Sequence, residues 1–103
     1  MNACAGASFG RADADLNAAY RRITGRLARD GATRRALAEA QRTWVRFRDA
    51  ECAFATFDSE GGSIHPTLTA GCTETLTRRR IADLEAHMAC TRDGACAAPL
   101  RSR

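Results

Sequence analysis

The first part of the chain has the hydrophobic spacing of an amphipathic helix. Across residues 10–29, large apolar side chains recur at steps of four, three and four, which places them on one side of a helix. Asp13 or Asp15 is expected to stabilise the first turns, and Gly31 to end the helix. The pattern therefore predicts a first helix with a single apolar stripe, formed by Leu16, Tyr20, Ile23 and Leu27.

A second helix is predicted to begin at Thr33, because threonine is a favourable N-cap residue. Its predicted inward face mixes apolar and polar side chains: Leu37, Gln41, Trp44, Arg48, Cys52 and Ala55. The following segment, residues 58–66, combines adjacent glycines with a proline. That composition predicts an ordered turn or loop between two helices.

Helical spacing returns from Thr67 to Cys90, where Ile81, Leu84 and Met88 form an apolar row. Gly71 is expected to divide this region into a short helix and a longer one. The tail at residues 91–103 contains a glycine, a proline and several arginines, and we expect it to be irregular. Together these patterns predict an all-α fold, a small bundle of three to four helices over residues 1–90.

Five cysteines in 103 residues indicate disulfide cross-links and an oxidising compartment. Cys52 near the end of the second helix and Cys72 near the start of the third are predicted to form a bond across the loop. Such a bond closes a loop of about 20 residues and is worth roughly 3 kcal/mol in chain entropy. A second disulfide could join Cys4 to either later cysteine or join those two to each other, and these pairings stay open among Cys4, Cys90 and Cys96.

The charge pattern argues against nucleic-acid binding. All sixteen basic residues are Arg, and twelve acids reduce the formal net charge to +4. The one basic run, residues 78–80, is flanked by acids and is typical of a solvated helix surface. No stretch approaches the roughly 20 apolar residues of a transmembrane helix, and no signal segment is present, so the export signal is expected to be absent from this chain.

No enzyme fingerprint is found, so neither catalytic residues nor a cofactor is predicted. A zinc or redox domain is an alternative, because His87 and Cys90 lie three apart on one helix face, and Cys72 and Cys96 would supply two further ligands. However, no CxxC pair supports it. A reactive thiol acting with His65 or His87 would need an orienting third group, which no motif provides.

A polar line beside Trp44 on the second helix is the most informative local feature. Gln41, Arg48 and Glu51 accompany that tryptophan, and a charged group on an inward face must be paired or border a site. One interpretation is a buried network that sets the register of two helices, with Asp15 and Asn17 as candidate partners. The other is that Trp44 and Arg48 reach the surface as binding anchors.

Several motifs together resemble the LprI-like lysozyme-inhibitor family. They are MNAC at residues 1–4, ADLN at 14–17 with Tyr20, AQRTWVRFRDAEC at 40–52, GGS at 61–63, and Cys72 followed by Thr77 and Arg79. The similarity covers about residues 1–84, and residues 41–52 are its most specific part. It implies a compact helical domain that is exported to the periplasm or anchored at the outer surface as a lipoprotein, a disulfide between Cys52 and Cys72, and a Met1 that is not the initiator; we expect a periplasmic or secreted protein.

The resemblance also implies the function. We expect an extracytoplasmic binding protein without enzymatic activity, whose partner is lysozyme or another cell-wall hydrolase that it inhibits by steric occlusion. An immunity or envelope-assembly partner for a bacterial protein is the alternative. No inhibitory motif is carried over from the family; the residues themselves suggest binding positions near Trp44 on the second helix and on the glycine loop, and these are Trp44, Arg48, Glu51, Gly61, Gly62, Ser63 and His65.

Overall fold

The protein is all-α, as predicted. A computed structural model describes the backbone of residues 2–93 and the side chains of residues 6–89. It contains three α-helices and one short 3-10 helix: α1 at Asn2–Arg26, α2 at Gly31–Ala55, the 3-10 helix at Phe57–Ser59, and α3 at His65–Asp93. The side chains of Cys4, Cys90 and Cys96, and the tail at residues 94–103, lie outside the described residues.

The end of α1 and the start of α2 differ from the predicted boundaries. Gly31 does not end the first helix, because α1 stops at Arg26 and a turn follows. Thr33 is not the N-cap of the second helix, because Asp30 takes that position. The Asp30 carboxylate accepts hydrogen bonds from the Thr33 backbone nitrogen at 3.0 Å and from Thr33 Oγ1 at 2.7 Å. Thr33 therefore occupies the third helical position, where its hydroxyl strengthens the cap.

Helix α3 is continuous, so the expected division at Gly71 is wrong. Gly71 is exposed within the helix, and its carbonyl accepts a hydrogen bond from Thr75 Oγ1 at 3.0 Å. A single glycine in a helix interior costs about 1 kcal/mol relative to alanine, which a 29-residue helix tolerates. The helix also continues to Asp93, three residues into the predicted irregular tail.

Two long-range contacts show that α1 and α3 run in the same direction. Arg78 donates to Asp15 Oδ2 across a sequence separation of 63, and Arg26 donates to the Met88 carbonyl across 62. Helix α2 runs in the opposite direction, because Gln41 contacts Arg80 while Cys52, further along α2, is bonded to Cys72, earlier on α3. One end of the bundle therefore brings together the start of α1, the end of α2 and the start of α3. No described helix has the length and apolar character needed to cross a membrane.

The hydrophobic core lies between the apolar sides of the three helices. The apolar rows predicted on α1 and α3 face this core, which confirms both predictions. The buried members of the core are mainly on α1, and one residue each comes from α2 and α3: Leu16, Ala19, Ile23, Leu27, Leu37 and Leu84. Tyr20, Trp44, Ile81 and Met88 pack against this cluster and are partly buried. The core is thus centred away from the end where α2 meets α3, which needs another source of stability.

Candidate protein-binding surface

A disulfide between Cys52 and Cys72 fixes the end of α2 to the start of α3, as predicted. The two Cα atoms are 5.7 Å apart and the sulfur atoms are at bonding distance. Cys52 is buried, so the cross-link lies inside this end of the bundle. Because Cys72 is oxidised, it is not available as a ligand in the alternative zinc site. The described residues contain no group of three or more potential metal ligands.

Hydrogen bonds hold the connection between α2 and α3 in one conformation. Ser59 Oγ lies 2.9 Å from His65 Nδ1, and Thr69 Oγ1 lies 3.4 Å from His65 Nε2. His65 is the first residue of α3 and is half-buried. Both of its ring nitrogens therefore have neighbours within the protein, and the ring joins the 3-10 helix to α3.

The glycine loop itself is open to solvent. Gly61 has a φ angle of 85°, a backbone conformation that favours glycine. The Gly62 nitrogen donates to the Ser59 carbonyl at 2.9 Å, and the His65 nitrogen donates to the Gly62 carbonyl at 3.2 Å. Gly61, Gly62 and Ser63 are all exposed. The loop is thus an ordered, accessible segment at the disulfide end.

Large apolar side chains on the segments before and after this loop are exposed to solvent. Four of them define what we call the apolar tip: Phe54, Phe57, Ile64 and Leu68, which are 78%, 65%, 49% and 43% exposed. Phe47 is also exposed and lies two turns earlier on α2. Sequence reasoning did not identify these residues. The available signal was that Phe47 and Phe54 are seven residues apart, and so share a side of α2 away from its inward face.

Arg48 in the polar line beside Trp44 differs from the residues of the apolar tip, because it is buried. Its guanidinium carbon lies 5.3 Å from the ring centroids of both Phe9 and Trp44. Its Nε donates to Asp49 Oδ1 at 3.0 Å, and its Nη1 lies 3.9 Å from Asp13. Arg48 therefore does not reach the surface. It joins α2 to α1 through the ring of Phe9 and the carboxylate of Asp13, and contacts Trp44 within α2.

A second arginine completes this cluster from α3. The Arg80 guanidinium carbon is 5.9 Å from the Trp44 ring centroid, and its Nε donates to Gln41 Oε1 at 2.9 Å. Burial lowers the pKa of Arg80, while the nearby carboxylate of Asp83 acts in the opposite direction. Trp44 is thus half-buried and has arginines from two helices over its ring.

The partners expected for this line were misassigned. Asp15 binds Arg78 at 2.6 Å, and Asn17 is exposed. The carboxylate on α1 that faces Arg48 is Asp13, one half-turn earlier. Glu51 is exposed on α2. The geometry fits the interpretation of a network that sets helix register, built around Arg48 and Arg80.

Comparison with known proteins identifies the family to which this chain belongs. The profile of the lysozyme inhibitor LprI family matches residues 1–84. The chain belongs to the LprI family. An uncharacterized protein of Rhizobium meliloti (strain 1021), R02472, is 36% identical over 96 residues, which cover 82% of this chain and 69% of that protein. No solved structure matches the chain.

Membership in the LprI family agrees with the structure on several points. The matched region includes both cysteines of the disulfide, the polar cluster and the whole apolar tip. LprI proteins are inhibitors rather than enzymes, and the family is extracytoplasmic, which fits a disulfide-linked domain. Membership suggests a binding function of the lysozyme-inhibitor kind.

Proposed function

We propose that this protein acts in the periplasm or outside the cell, where it binds lysozyme or another peptidoglycan-degrading enzyme and inhibits it by steric occlusion. The contact surface in this proposal is the apolar tip with the adjoining loop of Gly61, Gly62 and Ser63. The observation that carries the proposal is the exposure of four large apolar side chains at one cross-linked end of the bundle.

Exposed side chains of this size favour burial against a partner. Each phenylalanine that leaves water contributes roughly 1.5–3 kcal/mol, and aromatic anchors are enriched among the residues that dominate protein interfaces. Phe54 and Phe57 are among the most exposed large apolar residues of the described chain. They are therefore the strongest candidates for anchors.

The tip is also held in place before it meets a partner. The disulfide fixes α2 to α3, and the contact between Ser59 and His65 fixes the segment between them. A surface ordered in advance loses less conformational entropy on binding. In this proposal His65 holds the segment beneath the surface, Trp44 and Arg48 stabilise the packing of the helices away from it, and Glu51 lies on α2 just before the disulfide.

An assay of lysozyme turnover on a peptidoglycan suspension tests the proposal. The wild-type protein is expected to slow clearing in proportion to its concentration. The double variant Phe54→Ala/Phe57→Ala is expected to raise the inhibition constant about tenfold or more, since loss of an interface anchor typically costs over 1.4 kcal/mol. Phe47→Ala is the control, because Phe47 is also an exposed phenylalanine, at 54%, but lies outside the tip.

Unchanged turnover at saturating wild-type protein, with enzymes from several lysozyme classes, would contradict inhibition. Equal effects of the tip variant and Phe47→Ala would contradict the assigned surface. A pull-down from periplasmic extract then addresses the alternative: specific capture of a different envelope protein, without any effect on turnover, would favour an immunity or assembly role.

A further inference from the structure

Charge is distributed unevenly along this bundle. Residues 49–77 contain no Arg or Lys and five carboxylates, whereas the other 74 residues contain all sixteen Arg and seven acids. The acids of this segment are Asp49, Glu51, Asp58, Glu60 and Glu74. The chain is therefore basic as a whole, with a formal net charge of +4, but acidic over one continuous segment.

That acidic segment coincides with the end of the bundle that carries the apolar tip. It comprises the last turns of α2, the 3-10 helix, the glycine loop and the first half of α3. Arg48, the nearest arginine before it, is buried and paired with Asp13 and Asp49. Arg11 on the adjoining part of α1 is exposed and donates to Ser8 Oγ at 3.0 Å. Among the residues whose side chains the structure describes, the surface next to the tip is thus predominantly negative.

The aromatic and acidic side chains meet in one shallow depression. It is lined by the last turn of α2 and the 3-10 helix, including Phe54, Phe57, Asp58 and Glu60. Aromatic faces attract ammonium and guanidinium groups, and carboxylates form charge-assisted hydrogen bonds with them. The aromatic rings and carboxylates of this depression together form a surface that is suited to bind a cationic side chain.

We infer that this depression receives an Arg or Lys side chain from a basic partner protein. The inference rests on the proposed function and names the charge of the partner surface. It also accounts for how a chain of net charge +4 approaches a basic hydrolase, because the local field of the approaching end governs encounter more than the net charge does.

Two probes test the inference, a basic animal lysozyme and a hexa-arginine peptide. The variant Asp58→Asn/Glu60→Gln removes both carboxylates of the depression without changing side-chain size. Glu39→Gln is the control, since Glu39 is exposed on α2 and paired with Arg42 away from the tip. At low salt we expect association of the Asp58→Asn/Glu60→Gln variant with lysozyme to be about three- to tenfold slower than that of the wild-type protein, and association of the control to be unchanged.

The peptide provides a measurement that does not depend on hydrolase inhibition. In a titration followed by nuclear magnetic resonance, amide shifts are expected at residues 53–60, and they should weaken in the Asn/Gln variant and with added salt. Shifts centred elsewhere, or no binding at all, would overturn the inference.

The outcomes separate this inference from the proposed function. Inhibition that depends on Phe54 and Phe57 but not on salt or the two carboxylates would overturn the cationic contact and leave inhibition standing. Binding of the peptide in the depression, without inhibition of any lysozyme, would support the cationic contact and contradict the proposed function.

Discussion

Helix α2 and the 3-10 helix that follows it present aromatic side chains in two settings, which begin at Trp44 and, about three turns later, at Phe54. Trp44 faces the bundle, where Arg48 and Arg80 stand over its ring and Leu37 packs nearby in the core. Phe54 and Phe57 face solvent at the disulfide end, beside acidic residues. Aromatic and arginine residues thus serve internal packing in the first region, whereas aromatic and acidic residues form an accessible surface in the second.

The difference shows that residue type alone does not mark a binding site. Tryptophan and arginine are common interface anchors, yet here their polar and aromatic groups contact each other across helices. The side chains that remain available are ordinary phenylalanines outside the predicted inward face. Variants that separate stability from binding can therefore test whether the two regions have distinct roles.

The largest expected effect comes from the cross-link beneath the tip. Cys52→Ala/Cys72→Ala should lower the free energy of unfolding by about 3 kcal/mol, because the bond spans a sequence separation of 20 and restricts the unfolded chain. Denaturant unfolding followed by circular dichroism measures this loss. Reduction of the wild-type protein should reproduce it; an unchanged midpoint would show that this end is held by other contacts.

The second largest expected effect on stability comes from Arg48, in the cluster around Trp44. Arg48→Ala should lower the free energy of unfolding by about 2 kcal/mol, because it removes two cation–π contacts and the buried stem of the side chain. The Arg46→Ala control should change stability by less than about 0.5 kcal/mol, since Arg46 is an exposed residue of the same helix. Inhibition per folded molecule should be the same in both variants, and a selective loss in Arg48→Ala would make that residue part of the binding surface.

Alanine substitutions at two glycines are expected to change the stability of the protein by smaller amounts and in opposite directions. Gly61→Ala should destabilise the protein by about 1 kcal/mol, since the φ angle of 85° is strained for alanine. Gly71→Ala should stabilise it by a similar amount, about 1 kcal/mol, because this position is exposed in a continuous helix and a Cβ atom meets no neighbour. Thermal unfolding of both variants checks the signs, and destabilisation by Gly71→Ala would indicate a break in α3.

The sequence predicted the helices and the disulfide because these features depend on local spacing and on residues at helix ends. It misplaced the start of α2, because Asp30 and Thr33 are both favourable N-cap residues and the choice depends on the turn after Arg26. It also assigned Asp15 rather than Asp13 to Arg48. That contact depends on the register between α1 and α2, which periodicity within one helix does not determine.

The exposed tip was missed for a similar reason. An apolar residue off the inward face can pack under a loop or remain in solvent, and only the path of the chain after α2 decides between them. The 3-10 helix and the glycine loop leave Phe54 and Phe57 uncovered. The candidate loop at residues 61–63 was identified, but its apolar and acidic surroundings became visible only in the fold.

The most direct measurement of the central claim is a map of the bound surface. Isotopically labelled protein would be titrated with a basic lysozyme, and amide resonances would be followed along all three helices. The account predicts that the largest changes fall at residues 54–68, with little change around the turn at residues 27–30. Changes centred on that opposite end, or on the exposed side of α2 near Arg42 with the tip unaffected, would contradict it.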